Sequence, residues 1–268
     1  MSAAGLTFRQ IRFTNKSFWR NPASAFFTFA FPLMFLVIFT ALLGSGDAKI
    51  NGVFINQATY YVVAMASFGV ITATYTNIAI SVTFQREAGI LKRTRGTPLP
   101  GWAYLSARVS HALFVSFILV IITMAFGVAF YSAHVPSGIG LIEFLVTLVV
   151  GGLTFCALAL ALTSIIPNAD ASPAIVNATI FPLLFLSGIF IPILDSSPEW
   201  IKVIGRIFPV KHFTDAMRAG FLSDVTARTP LGTVTAFPFH WSDVGVVALW
   251  GVVGLVLATR FFSWEPRK

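Results

Sequence analysis

The chain has 268 residues, of which 56% are apolar and only 10% are Asp, Glu, Lys or Arg, where a soluble domain carries about 25% charged residues. With a mean hydropathy of +0.83 it has too little polar surface to stay dispersed as a globule, and the same composition excludes disorder. The net charge of +8 comes from Lys and Arg clustered beside apolar runs, which is a topological pattern and not a nucleic-acid surface. An integral membrane protein is the class that remains, and its lone Cys156 can build neither an internal disulfide nor a thiolate metal site.

The chain opens on Arg9, Arg12, Lys16 and Arg20, whose spacing confines them to an arc of about 80° on a helix. Phe8, Ile11, Phe18 and Trp19 fall on an adjoining arc. This predicts an interface helix over residues 1–22, with cations toward headgroups and aromatics toward acyl chains. The apolar run that follows is too long for a signal peptide and has no small-residue cleavage site, so it reads as a retained span.

Six stretches lack Asp, Glu, Lys and Arg: Asn21 to Gly46, Ile50 to Gln85, Val109 to Ile142, Phe144 to Ala169, Ala171 to Leu194 and Val244 to Thr259. A crossing helix needs about 20 residues, so an all-α fold with six transmembrane helices is expected. The last stretch is lengthened by Phe261 and Phe262, with Arg260 able to snorkel. Basic residues gather at the start, at Arg86, Lys92, Arg93, Arg95 and Arg108, and in the tail at Arg260, Arg267 and Lys268. The positive-inside rule therefore puts both termini in the cytoplasm. After the fifth stretch, Trp200, Ile204 and Phe208 repeat at helical spacing, as do Phe213, Met217 and Phe221. Each pattern is too short to cross, which predicts an outer re-entrant helical hairpin within residues 195–242.

Enzymatic readings fail on motif chemistry. Gly96 to Gly101 has the glycine spacing of a phosphate loop, but Trp102 stands where the Lys belongs and Pro100 interrupts it. There is no Gly-x-Ser-x-Gly and no His-Glu-x-x-His, so hydrolase and zinc-protease chemistry lack their parts. No metal site is expected. The stretches hold ionisable groups only at their ends, which speaks against a proton relay. Asn77 and Ser81 on the second span and Asn177 and Thr179 on the fifth are the polar candidates for a solute pathway, and interhelical packing would use the same residues.

The segment Gln85 to Arg108 carries more information. It sets Glu87 among five basic residues and ends its basic part in Thr97-Pro98-Leu99, so a short cytoplasmic helix should stop in a turn before the third span. Together with the basic first segment, Phe181-Pro182, Ser187 to Pro192, Pro198-Glu199-Trp200, Phe208-Pro209-Val210 and Asp215 to Arg218, it resembles the permease subunit of ABC-2 type exporters. The likeness is to the multidrug and antibiotic-resistance branch that includes daunorubicin-type permeases, and it runs along residues 1–268 as one transmembrane domain.

The resemblance implies that residues 85–104 form a coupling loop docked on a separate ATPase, with Arg86, Glu87, Gly89, Leu91, Lys92, Pro98 and Leu99 as its contact or shaping residues. It implies an interface helix carrying Arg9, Arg12, Lys16 and Arg20, and re-entrant outer helices carrying Trp200, Ile204 and Phe208. It further implies a non-catalytic subunit in a bacterial plasma membrane that pairs with a second copy or a close paralogue. ATP and Mg would then be bound by the ATPase subunit, with no cofactor in this chain. The cargo expected is a drug, antibiotic or lipid-like compound, hydrophobic or amphipathic. A membrane scaffold or insertion factor that transports nothing is the alternative from another class.

Overall fold

The computed structural model describes residues 3–50, 53–97, 99–194, 196–223, 226–229, 232–235 and 237–265. The basic start folds as α1 (Ala3–Trp19), as its periodicity predicts. Asn21 then caps α2 (Pro22–Leu43): its side chain accepts from the Ser24 N–H at 3.2 Å, with Pro22 in the first turn. A two-stranded antiparallel ribbon, β1 (Asp47–Ile50) and β2 (Val53–Asn56), joins α2 to the next helix.

The second apolar stretch starts at a cap, because the Asn56 carboxamide accepts from the Thr59 N–H at 3.0 Å. From there α3 (Gln57–Ile71), a π-helical turn (Thr72–Thr76) and α4 (Asn77–Glu87) make one 31-residue helix at the centre of the molecule. Then come the short α5 (Ile90–Arg95), α6 (Gly101–Tyr131) and α7 (Gly138–Leu162). They are followed by α8 (Ser172–Phe185), α9 (Glu199–Ile207) and α10 (Pro209–Phe221). A second ribbon, β3 (Thr226–Thr229) and β4 (Gly232–Thr235), leads to α11 (Trp241–Phe261).

Among the described residues, five helices are long and apolar enough to cross a bilayer: α2, the α3 to α4 helix, α6, α7 and α11. The fifth apolar stretch departs from the regular helix expected of it. Its helix, α8, has only 14 residues, about 21 Å of rise against about 30 Å of hydrocarbon. The helix stops because Gly188 adopts φ +81°, a left-handed conformation that side-chain-bearing residues disfavour and that cannot continue a right-handed helix. The chain nonetheless runs from end to end here. The Ile166 carbonyl meets Arg86 beside the end of α4, and the Gly188 carbonyl meets Tyr60 beside the start of α3. The short α8 and the irregular segment after it thus cover the same length of the bundle as the central helix beside them.

Around the central helix, α1 packs on α6, α2 on α3, and α10 on α7, α3 and α11. The approach of α10 to α7 is backbone-close, since a Cβ on Gly220 would lie 2.7 Å from the Phe144 nitrogen. Small residues serve the same end where Gly251 faces Thr154 and Gly254 faces Leu158.

Candidate functional site

The segment expected to dock on an ATPase begins at Arg86, which is only 1% exposed. Its Nη1 donates to the Thr163 carbonyl and its Nη2 to the Ile166 carbonyl, each at 2.7 Å. These carbonyls follow the end of α7, where helix carbonyls lose their own partners and a cation is favoured. Arg86 is thus a bolt between two helix ends, and its guanidinium faces inward instead of presenting itself to a docked protein. Glu87 lies beside it, with Oε1 3.4 Å from Arg86 Nε, and remains partly open to solvent.

Gly89, at φ +68°, turns the chain from α4 into α5. Leu91 is fully buried and anchors α5, while Lys92, Arg93 and Arg95 are exposed. Arg93 Nη2 donates to the Ala88 carbonyl at 3.2 Å. The turn after α5 is held by Thr97, whose hydroxyl donates to the Thr94 carbonyl at 2.7 Å and accepts from the Leu99 N–H at 3.4 Å. Pro98 lies outside the described residues; Leu99 is half-buried against the core.

Between this turn and α1 opens a cleft of about 630 Å³ lined by Arg9, Arg12, Lys16, Phe13, Thr97 and Leu99. Arg20, just past α1, is exposed. The predicted arcs hold in part. Phe8 and Trp19 are exposed, whereas Phe18 turns inward, its ring centroid 5.2 Å from that of His111 on α6. The tail returns to the same end, with Trp264 against Tyr104 and above Gly101, and the Tyr104 hydroxyl donates to the Gln85 carboxamide.

At the opposite end α9 and α10 form the expected pair of short helices. Trp200, Val203 and Ile207 are 60%, 50% and 55% exposed, an apolar stripe facing away from the bundle, with Ile204 half-buried beside it. Phe208 does not share that stripe. It lies beyond the last residue of α9 in extended conformation, and its ring stacks on Trp250 of α11 at 6.0 Å. The Trp250 indole N–H donates to the Ile207 carbonyl at 3.1 Å. Helix α10 is the embedded member, with Phe213, Met217 and Phe221 fully buried.

A polar network ties α10 to the break after α8. The Tyr60 hydroxyl donates to the Gly188 carbonyl at 2.8 Å and accepts from Arg218 Nη2 at 3.1 Å, and the guanidinium lies 4.4 Å from the Tyr60 ring centroid. Asp215 neutralises Arg218 at 3.1 Å and Lys211 at 2.6 Å.

The four pathway candidates do not form one lining. Thr179 contacts the Tyr75 hydroxyl at 3.0 Å on the wall of an apolar groove of about 700 Å³ between α7, α8 and α11. Asn77 and Ser81 face the other side, toward α2 and α6, and Asn177 is half-buried on α8. Most neighbouring hydroxyls bond their own helix, as Thr74 does to the Val70 carbonyl at 2.6 Å.

Residues 6–222 match the sequence profile of the ABC-2 type transporter family. The chain belongs to this family. Over 148 residues it is 28% identical to the protein named "Probable multidrug ABC transporter permease YbhR" in Escherichia coli strain K12, and to its namesake in Escherichia coli O157:H7. The aligned part is 55% of this chain and spans 39% of the length of those relatives. An ABC-2 chain with these apolar helices is a multi-pass membrane protein.

Three features of this ABC-2 chain escape a reading of charge-free runs. Arg108 belongs to α6 and not to the preceding loop, because α6 starts at Gly101 behind Pro100; that proline is the signal that marks the start. The Tyr60 to Arg218 clamp spans 158 residues and leaves no local trace. Tyr75 is displaced by the π-helical turn, which no periodicity announces.

Proposed function

We propose that the chain is the permease subunit of an ATP-driven exporter that moves hydrophobic or amphipathic compounds, among them drugs, antibiotics or lipid-like molecules, outward across a bacterial plasma membrane. Two such chains, or one chain and a paralogue, surround the pathway, and a separate ATPase binds ATP and Mg. Both termini and α5 lie on the cytoplasmic side, where the ATPase docks on Glu87 to Leu99 and on the cationic cleft beside α1.

The observation that carries this reading is the bolt made by Arg86. A push on α5 moves Leu91 and the end of α4, and the two 2.7 Å bonds from Arg86 pass the displacement to the end of α7 and the start of α8. Packed helices shift as bodies and do not absorb such a displacement locally. The apolar groove beside Tyr75 and Thr179, next to α8, lies where that motion ends and offers a surface suited to apolar cargo. The interface helix α1 and the exposed stripe of α9 suit the two leaflets, one cationic and one apolar.

The test is reconstitution with the cognate ATPase in liposomes. ATP hydrolysis should rise when amphipathic cargo is added, and cargo should accumulate on the side away from the ATPase. Hydrolysis that never responds to this chain would leave a scaffold as the better description.

A further inference from the structure

One half-buried cation on α6 is not neutralised by an ion pair among the described residues. Arg108 sits on α6 seven residues beyond Gly101, about 10 Å along the helix. Its Nη1 reaches the Ser81 hydroxyl at 3.4 Å, its guanidinium lies 5.5 Å from the Tyr104 ring centroid, and its Nε is buried without a hydrogen-bond partner. Among the described residues no carboxylate pairs with it. His111, on the next turn, also buries an unpartnered Nδ1, and Phe18 of the interface helix covers its ring. That contact sets Arg108 at the depth of α1, the level of lipid headgroups.

A void of only about 10 Å³ lies between Arg108, His111, Asn77 and Ser81. Asn77 and Ser81 also close one end of a groove of about 430 Å³ between α2 and the central helix, walled by Phe27, Phe31, Phe68 and Ile80. Phenylalanines wall most of the groove with Thr28, Thr72 and Thr76 among them, and its Asn77 and Ser81 end adjoins the void that Arg108 lines. Arg108 is half-buried, and an anion at the Asn77 and Ser81 end would gain charge-assisted bonding from the polar groups there and attraction to its guanidinium.

We propose that this groove holds an anionic phospholipid of the inner leaflet, its phosphate at Ser81 and Asn77 under the field of Arg108 and one acyl chain along Phe27 and Phe31. The assignment rests on the cytoplasmic placement of α1 and does not depend on transport. Unlike the coupling surface, it needs no ATPase.

The experiment is native mass spectrometry of the detergent-purified chain incubated with phosphatidylglycerol or phosphatidylcholine. The expected result is retention of phosphatidylglycerol in preference to phosphatidylcholine, with Arg108→Gln lowering that preference about tenfold, the equivalent of about 1.4 kcal/mol. Arg260→Gln, which removes an exposed cation at the end of α11, should lower it less than twofold. Thr28→Trp, which fills the groove from α2, should reduce retention of both lipids and keeps the test open if Arg108→Gln fails to fold. Equal retention of the two lipids by the unaltered chain overturns the proposal, as does equal loss in Arg108→Gln and Arg260→Gln. Retention of dodecyl phosphate without phosphatidylglycerol would make the occupant a free amphiphile and overturn the assignment to lipid.

Discussion

Arg86 and Thr163, 77 residues apart, are joined by a 2.7 Å bond from the guanidinium to the backbone carbonyl. The bond fastens the end of the central helix to the end of α7, and a second one to Ile166 makes the joint rigid. Hydrogen bonds to a charged group contribute about 1.5 to 3 kcal/mol each. Arg86→Met should therefore lower thermal stability by about 2 to 4 kcal/mol, because two buried carbonyls lose their donor. Lys, with a single point of attachment, should restore only part. Melting of the purified variants measures this, and a melting curve for Arg86→Met that overlays the parent's would refute the joint.

Glu87 is the accessible half of that pair and the better candidate for contact with the ATPase. Glu87→Gln should insert and fold normally but weaken ATPase binding by about 2 kcal/mol or more if a docked partner encloses the carboxylate. Arg93→Gln should cost about 0 to 1 kcal/mol, as exposed pairs do. Co-purification and hydrolysis assays distinguish the two, and an unimpaired Glu87→Gln complex moves the contact elsewhere on the loop.

The exposed stripe of α9 makes sense only against lipid or a partner surface. Trp200→Asp should reduce the amount of stable protein in membranes, since each Å² of apolar area left in water costs about 25 cal/mol. Lys202→Ala should have a smaller effect. Membrane yield and melting in nanodiscs are the readouts; equal tolerance of both changes would mean that the stripe is ordinary wetted surface.

The clamp at the opposite end rests on Tyr60 and Gly188. Tyr60→Phe should cost about 1 kcal/mol by leaving the Gly188 carbonyl with only the longer bond from Arg218. Gly188→Ala should cost about 1 to 2 kcal/mol through the left-handed backbone. The two are in contact, so the double variant should fall short of the sum in a double-mutant cycle. Strict additivity would show that the hydroxyl and the turn act separately.

Sidedness is measurable with single cysteines in a Cys156→Ala background, Cys156 being buried. Thr97→Cys should react with an impermeant thiol reagent only in inverted vesicles, and Ser137→Cys and Ser196→Cys in intact cells. All three positions are exposed. Labelling of Thr97→Cys from outside the cell would reverse the orientation.

Much of this architecture was legible in one dimension. Charge-free length located the five long apolar helices, the spacing of Arg9, Arg12, Lys16 and Arg20 located α1, and the helical spacing around Trp200 and Met217 located α9 and α10, because burial in lipid or in a bundle acts on each residue through its own side chain. The same reasoning gave the fifth pass a full helix, since hydropathy carries no record of the left-handed turn at Gly188. It also left Arg108 in a loop, since absence of charge was taken to mark the start of a span that Pro100 marks instead.

What the linear sequence determined by itself is thus the class of the molecule, the position of its long apolar helices and the amphipathic segments at its two ends. Only the tertiary structure decided which polar group meets which. Arg86 is an internal joint because the end of α7 arrives beside it, Asn77 and Thr179 face opposite sides because helices pack between them, and Arg108 rests on Tyr104 and Ser81 because no carboxylate among the described residues pairs with it. Hydrophobic pattern is a property of segments, whereas hydrogen bonds and charge pairing are short-ranged and depend on what distant segments bring to within about 3 Å.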